Sequence, residues 1–202
     1  MRLEHQDIWK NAGKEELDSL TLEEPYDMII DQCLEVIDLT TNFIVTWEKK
    51  VKERVSKNED VTNNCKLLET HPGIGDISAY TILYESSPIT RFPLVDDYTP
   101  YVGLAPKTRK SADKGKLGHL SKQANMYLKW IYVEIATHIT RIGKGPLCVK
   151  YQRKMWHRGK PVAKITLARE VATDVYFMLR DKINYATFLE RGNTKREGRT
   201  CF

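Results

Sequence analysis

Residues 61–87 read "VTNNCKLLETHPGIGDISAYTILYESS", two apolar-periodic runs split by His71-Pro72-Gly73-Ile74-Gly75. Proline has no backbone N–H to donate and glycine is a poor helix former, so these five residues interrupt a helix. The run before them reads as one helix, with Asn63 or Asn64 placed to cap it. The run after them reads as a second helix opened by Asp76, with Ile77, Ala79, Tyr80, Ile82 and Leu83 as its apolar positions. Gly73 and Gly75 allow positive φ, which would turn successive N–H groups outward at the start of the second helix, the geometry of an anion-binding nest.

Working outward, the other segments repeat the helical period. Residues 23–57, "EEPYDMIIDQCLEVIDLTTNFIVTWEKKVKERVSK", read as one long helix with Pro25 in its first turn. One stripe runs through Ile30, Leu34, Ile37, Thr41, Ile44, Val51 and Val55, and a parallel one through Ile29, Cys33, Val36, Phe43 and Trp47. So much apolar surface calls for a partner helix or for packing on the domain that follows; both readings stay open, and homo-oligomerisation through residues 25–58 is the first of them. After Ser121, a helix with a Leu128, Ile131, Tyr132, Ile135 and Ile139 stripe is expected to run to "GKGP" at 143–146. Another spans Leu147 to about Arg158, and a last one carries Ile165, Ala168, Ala172, Val175 and Leu179 on one face. No strand-like alternation of any length is present.

The expected fold is therefore all-α: an acidic, flexible lead-in at 1–24, a long amphipathic, coiled-coil-like helix at 25–58, a helical domain at 60–185 and a disordered tail at 186–202. Inside the domain, residues 62–86 fit the helix-hairpin-helix pattern, which resembles a clamp that grips the DNA backbone without reading sequence. Residues 87–121 hold four prolines, Pro88, Pro93, Pro100 and Pro106, and are expected to be irregular, with room for one short helix.

Net charge is only +5, but it is unevenly distributed: −8 over residues 1–40, −2 over 41–100, +12 over 101–160 and +3 over 161–202. A block at +12 in a nearly neutral chain points to a polyanion, and nucleic acid is the natural one. The start of the chain is too polar and acidic for a signal peptide, and no apolar run approaches the ~18 residues of a membrane span, so a cytoplasmic, nucleoid-associated protein is expected. Cys33, Cys65, Cys148 and Cys201 form no CxxC pair and adjoin no histidine cluster, so neither a disulfide framework nor a metal site is expected.

The densest part of the basic block is residues 103–122. Lys107, Arg109, Lys110, Lys114, Lys116 and Lys122 surround Ser111, with Asp113 the only acid. Cations that bind a phosphodiester can orient a serine hydroxyl for attack and stabilise the charge of the pentacoordinate transition state. The competing reading is a solvated turn serine. A tyrosine nucleophile among Tyr98, Tyr101, Tyr127 and Tyr151 is also open, with His119, His157, Arg153 and Arg158 as available partners, although no spacing singles one out.

"LLETHPGIGDISAYTILYE", "TRFP", "YVGLAP", Ser111, "LSKQANMYLKW" and "ITLAREVATDVYFML" follow one another in this order between about residues 60 and 182. As an ordered set they resemble the C-terminal part of the IS-one-ten type insertion-sequence transposases, the group that includes the pilin-gene invertase. The resemblance implies an RNA-guided DNA recombinase whose serine nucleophile follows the GLxP motif, here Ser111, with DNA and a guide RNA as partners. The basic loop adds phosphate contacts from Lys107, Arg109, Lys110, Lys114, Lys116 and Lys122, and the glycine turn adds backbone contacts from Gly73, Ile74 and Gly75. Asn125 would contact nucleic acid or hold the loop. The resemblance assigns Mg²⁺ to an acidic RNase-H-like N-terminal domain, leaving no cofactor to this chain. No such domain precedes residue 25, so the chain is expected to be the C-terminal half of a recombinase that needs the other half for activity. The family's serine is usually followed by glycine, whereas Ala112 and Asp113 follow Ser111 here. The alternative is a non-catalytic DNA- or RNA-binding helix-hairpin-helix module.

Overall fold

The computed structural model describes residues 11–19, 23–109, 116–120 and 124–197. The chain divides into two compact units, Met1–Lys57 and Asn58–Phe202.

In the first unit, helix α1 (Asn11–Asp18) lies within the lead-in expected to be flexible, and α2 (Tyr26–Ser56) is the long helix. At 31 residues α2 is about 46 Å long. Threonines are weak helix formers, yet Thr40, Thr41 and Thr46 each return their hydroxyl to the carbonyl four residues back, which satisfies them inside the helix. Met28, Ile29, Val36, Leu39, Phe43, Ile44, Val45 and Trp47 are all exposed.

The second unit runs α3 (Glu59–Glu69), α4 (Asp76–Ser86), a 3₁₀ turn (Ile89–Arg91), α5 (Val95–Val102), β1 (Pro106–Arg109), β2 (Lys116–Leu120), α6 (Met126–Ile142), α7 (Pro146–Arg158), α8 (Lys160–Asp181) and α9 (Tyr185–Glu197). It is all-α apart from one antiparallel strand pair. α8 is the central helix: Ala163, Leu167, Ala168, Val171, Ala172, Val175, Tyr176, Met178 and Leu179 are buried along it, and α3, α5, α6, α7 and α9 all pack on it. The small alanines let neighbouring backbones approach closely while the larger side chains fill the gaps between helices. α4 packs between α3 and α6, whose Leu128, Ile131, Tyr132, Ile135 and Ile139 are buried as their spacing predicts.

Three expectations are corrected. Asn58, not Asn63 or Asn64, caps α3, its side chain accepting from the Val61 N–H at 3.2 Å, and Glu59 and Asp60 then occupy the first turn where acids suit the helix dipole. Residues 185–197 of the tail are helical. Asn184 caps this helix by accepting from the Thr187 N–H at 2.8 Å, and the buried Tyr185 ring meets the His71 ring edge-on with centroids 4.4 Å apart. Phe188 stacks on Phe177. Two aromatics thus tie down a segment whose overall polarity hides them.

The third correction concerns residues 87–121, which hold a 3₁₀ turn, a helix and two strands rather than one short helix. Leu94 and Asp97 open α5, the Asp97 carboxylate accepting from the Leu94 N–H at 3.1 Å. Tyr176 of α8 lies 2.9 Å from the Phe92 carbonyl and 3.0 Å from that of Pro93, so its hydroxyl fastens this proline-rich stretch to the central helix.

Candidate nucleic-acid interface and the anchor of the serine stretch

β1 and β2 pair with Pro106 opposite Leu120, Thr108 opposite Leu117 and Arg109 opposite Lys116, with an irregularity between Pro106 and Thr108. The register therefore sets two cationic residues directly across from one another. Lys107 also falls on β1. Ser111, Lys110, Lys114 and Lys122 lie outside the described residues.

How the domain holds this stretch is well defined. α5 ends at Gly103 in the left-handed conformation, φ 79°, which turns the chain into β1. The chain returns after β2 at Asn125, whose backbone N–H donates to the Tyr101 carbonyl at 3.0 Å. The Asn125 side chain caps α6 by accepting from the Leu128 N–H at 3.0 Å, and its amide donates to the Glu85 carboxylate and faces the Tyr101 hydroxyl at 3.4 Å. The Tyr101 hydroxyl donates to the Glu85 carbonyl at 3.2 Å, which also accepts from Arg91 at 3.0 Å. Arg91 lies over the Phe92 and Tyr101 rings. Asn125, placed among the nucleic-acid contacts on sequence grounds, has its cap acceptor and its amide donors engaged inside the fold. These bonds fasten the stretch to the helical frame.

The α3–α4 connection behaves differently at its two glycines. Gly73 has φ +89°, and a Cβ there would meet Ile139 Cγ1 at 2.9 Å, so both conformation and close approach to α6 require glycine. Gly75 is extended at φ −114°, and a Cβ there meets nothing within 4 Å. The expectation of positive φ holds for Gly73 and fails for Gly75. The Ile74 side chain is buried, so any contact from Ile74 would come from its backbone. Gly73, Gly75 and Ser78 line a cleft of about 350 Å³ whose other wall is α6, contributing Glu134, His138 and Arg141. The sequence reading missed Arg141, because it lies on another helix near the end of α6. Glu134 is the one acid of this lining and tempers its positive character.

Among the tyrosines considered as nucleophiles, Tyr98 is fully buried. Its hydroxyl lies 2.9 Å from Ser86 Oγ and 2.7 Å from the Tyr132 hydroxyl. Burial pushes the Tyr98 phenol up to about 12 and that of Tyr132 well above its ordinary value, the wrong direction for a nucleophile. Tyr127 is exposed, and Tyr101 is committed to the Glu85 anchor. Among the described residues no three His, Cys, Asp or Glu side chains group as a metal site requires. Among them also, no helix is long and apolar enough to cross a membrane.

Residues 65–152, which run from α3 through the strand pair into α7, match the model of a family described as "Transposase IS116/IS110/IS902 family". Over this segment the chain is similar to that transposase family. The chain is similar to the "Transposase for insertion sequence element IS1111A" of Coxiella burnetii, with 24% identity over 145 residues, covering 69% of this chain and 38% of that protein. It is similar too to a Sinorhizobium fredii protein named "Putative transposase y4pF/y4sB", 24% identical over 141 residues, 68% of this chain and 36% of the relative. The chain thus spans well under half the length of the curated relatives it matches.

Proposed function

We propose that this chain is the serine-bearing, DNA-binding part of an insertion-sequence transposase that works by phosphoryl transfer on DNA. The observation that carries the reading is the family match over residues 65–152, which encloses the basic stretch with Ser111 at its centre. Ser111 Oγ forms a bond to the scissile phosphorus as the bond to the departing sugar oxygen breaks, leaving a phosphoserine-linked DNA end. Lys107, Arg109, Lys110, Lys114 and Lys116 hold the neighbouring phosphates, with Arg109 and Lys116 paired across the strands. Gly73 to Gly75, acting as a helix-hairpin-helix clamp with Lys122, grips the backbone further away. The acids that would hold Mg²⁺ belong to an N-terminal RNase-H-like domain, a guide RNA pairs with the DNA, and the serine proton passes to a base of that domain, to water or to a lysine. The exposed apolar face of α2 supports self-association through residues 25–58, and the reading implies a cytoplasmic, nucleoid-associated protein.

The test is a denaturing-gel trap: this chain with labelled element-end DNA, Mg²⁺, guide RNA and an N-terminal domain supplied in trans. A covalent band that disappears with Ser111→Ala, while salt-dependent binding persists, is the expected result. Binding without any band, under conditions in which a full-length relative gives one, would instead favour the non-catalytic nucleic-acid-binding module.

A further inference from the structure

α7 carries a surface that the reaction above does not use. From Pro146 to Lys164 there are six basic side chains, Lys150, Arg153, Lys154, Arg158, Lys160 and Lys164, and no acid. The inner face of α7 is settled: Leu147 and Cys148 are buried, Tyr151 and Met155 half-buried, and the helix packs along α8. Lys150 is satisfied there by Glu170 at 3.0 Å. On the outer face, Val149, Arg153 and Trp156 follow one another at spacings of four and three residues and form one stripe. Among the described residues neither Arg153, Lys154 nor Arg158 is ion-paired.

Trp156 is 82% exposed, more than any other large hydrophobic side chain among the described residues. It contributes little to packing, and an indole left in water has a free π-face. An acid-free run of cations around a free aromatic face is the chemistry of single-strand recognition, in which phosphates meet charge and unpaired bases stack. A duplex presents the same phosphates but keeps its base faces stacked internally, so it matches the charge and not the indole.

We propose that the outer face of α7 binds single-stranded nucleic acid, Trp156 stacking on an unpaired base while Arg153, on the same stripe, holds a flanking phosphate. The proposal deepens the nucleic-acid reading above and rests on it.

The test measures fluorescence anisotropy of the whole chain with four labelled probes: oligo(dT), oligo(U), an abasic deoxyribose-phosphate strand of equal length, and element-end duplex. Trp156→Ala should weaken oligo(dT) and oligo(U) binding about tenfold and leave the abasic strand and the duplex unchanged, and Trp156→Phe should retain most of the affinity. Arg153→Ala should weaken binding to the single strands, the abasic one included. The tighter of oligo(dT) and oligo(U) identifies DNA or RNA as the source. An equal loss on the abasic strand, or no loss on any single strand, overturns the proposal while duplex binding leaves the transposase reading standing. Competition by polyglutamate as strong as that by oligo(dT) also overturns it, in favour of an acidic protein partner. Failure of the wild type to bind any of the four would sink the nucleic-acid reading itself.

Discussion

The Asn125 amide donates to the Glu85 carboxylate, joining residues 40 positions apart at the point where the serine-bearing stretch leaves and re-enters the helical domain. The same side chain caps α6, so one residue sets both the start of a core helix and the footing of the basic stretch. Asn125→Ala should cost about 2 kcal/mol, of which the cap alone accounts for about 1. Urea melts would measure it. Asn125→Asp keeps the cap acceptor but sets two carboxylates together, so its deficit should shrink as acid protonates one of them.

The two hairpin glycines should separate cleanly. Gly73→Ala forces a Cβ into the left-handed region and against Ile139, and should destabilise the domain by about 1–3 kcal/mol. Gly75→Ala should be nearly neutral in thermal melts, because its backbone is extended and its Cβ position open. Equal effects at the two positions would contradict the geometry described.

Arg141 should matter for affinity and little for stability, since it is exposed on the rim of the cleft beside Gly73 and Gly75. Arg141→Ala should lower affinity for DNA of any sequence and reduce the slope of log K against log salt by about 1. An unchanged slope would remove this cleft from the interface.

Tyr98 and Tyr132 give the domain an alkaline limit. Burial holds both phenols protonated above their ordinary pKa, with Tyr98 pushed to about 12. Below pH ~10 the phenols are neutral in folded and unfolded chains alike, and this contribution to stability is complete. Above that, the unfolded chain releases the protons first, so stability should fall as pH rises through the window up to about 12, by at most about 1.4 kcal/mol per pH unit for each tyrosine. Tyr98→Phe should flatten this decline when urea melts at pH 8 and pH 10.5 are compared.

Much of the frame was legible because helix periodicity is a local signal. The α6 stripe at Leu128, Ile131, Tyr132, Ile135 and Ile139 is buried as its spacing implies, and α2 spans the residues expected of it. What failed depended on tertiary partners. α9 is polar by composition, and only the docking of Tyr185 on His71 and of Phe188 on Phe177 reveals why it is ordered. The strand pair went unread because Pro106 and the irregularity beside it break the alternation. Asn125 drew attention through its motif, yet its role as anchor needed Glu85 and Tyr101 brought to it from distant positions. Arg141 joins the Gly73 cleft only once α6 is laid against α4.

The Tyr101 carbonyl and the Asn125 N–H meet at 3.0 Å, so the stretch that follows the buried Val102 and Leu104 departs and returns through one doorway in the helical frame. Such a doorway makes the intervening residues an exchangeable cassette. Lengthening the insert carries little entropic penalty, about 0.6 kcal/mol for each doubling, because the frame has already closed the ring. Stretches from distant relatives, differing in length and in the residues after the serine, should therefore be graftable between the buried Leu104 and Asn125 without unfolding the helices beneath. Substrate preference could then change while the scaffold stayed the same.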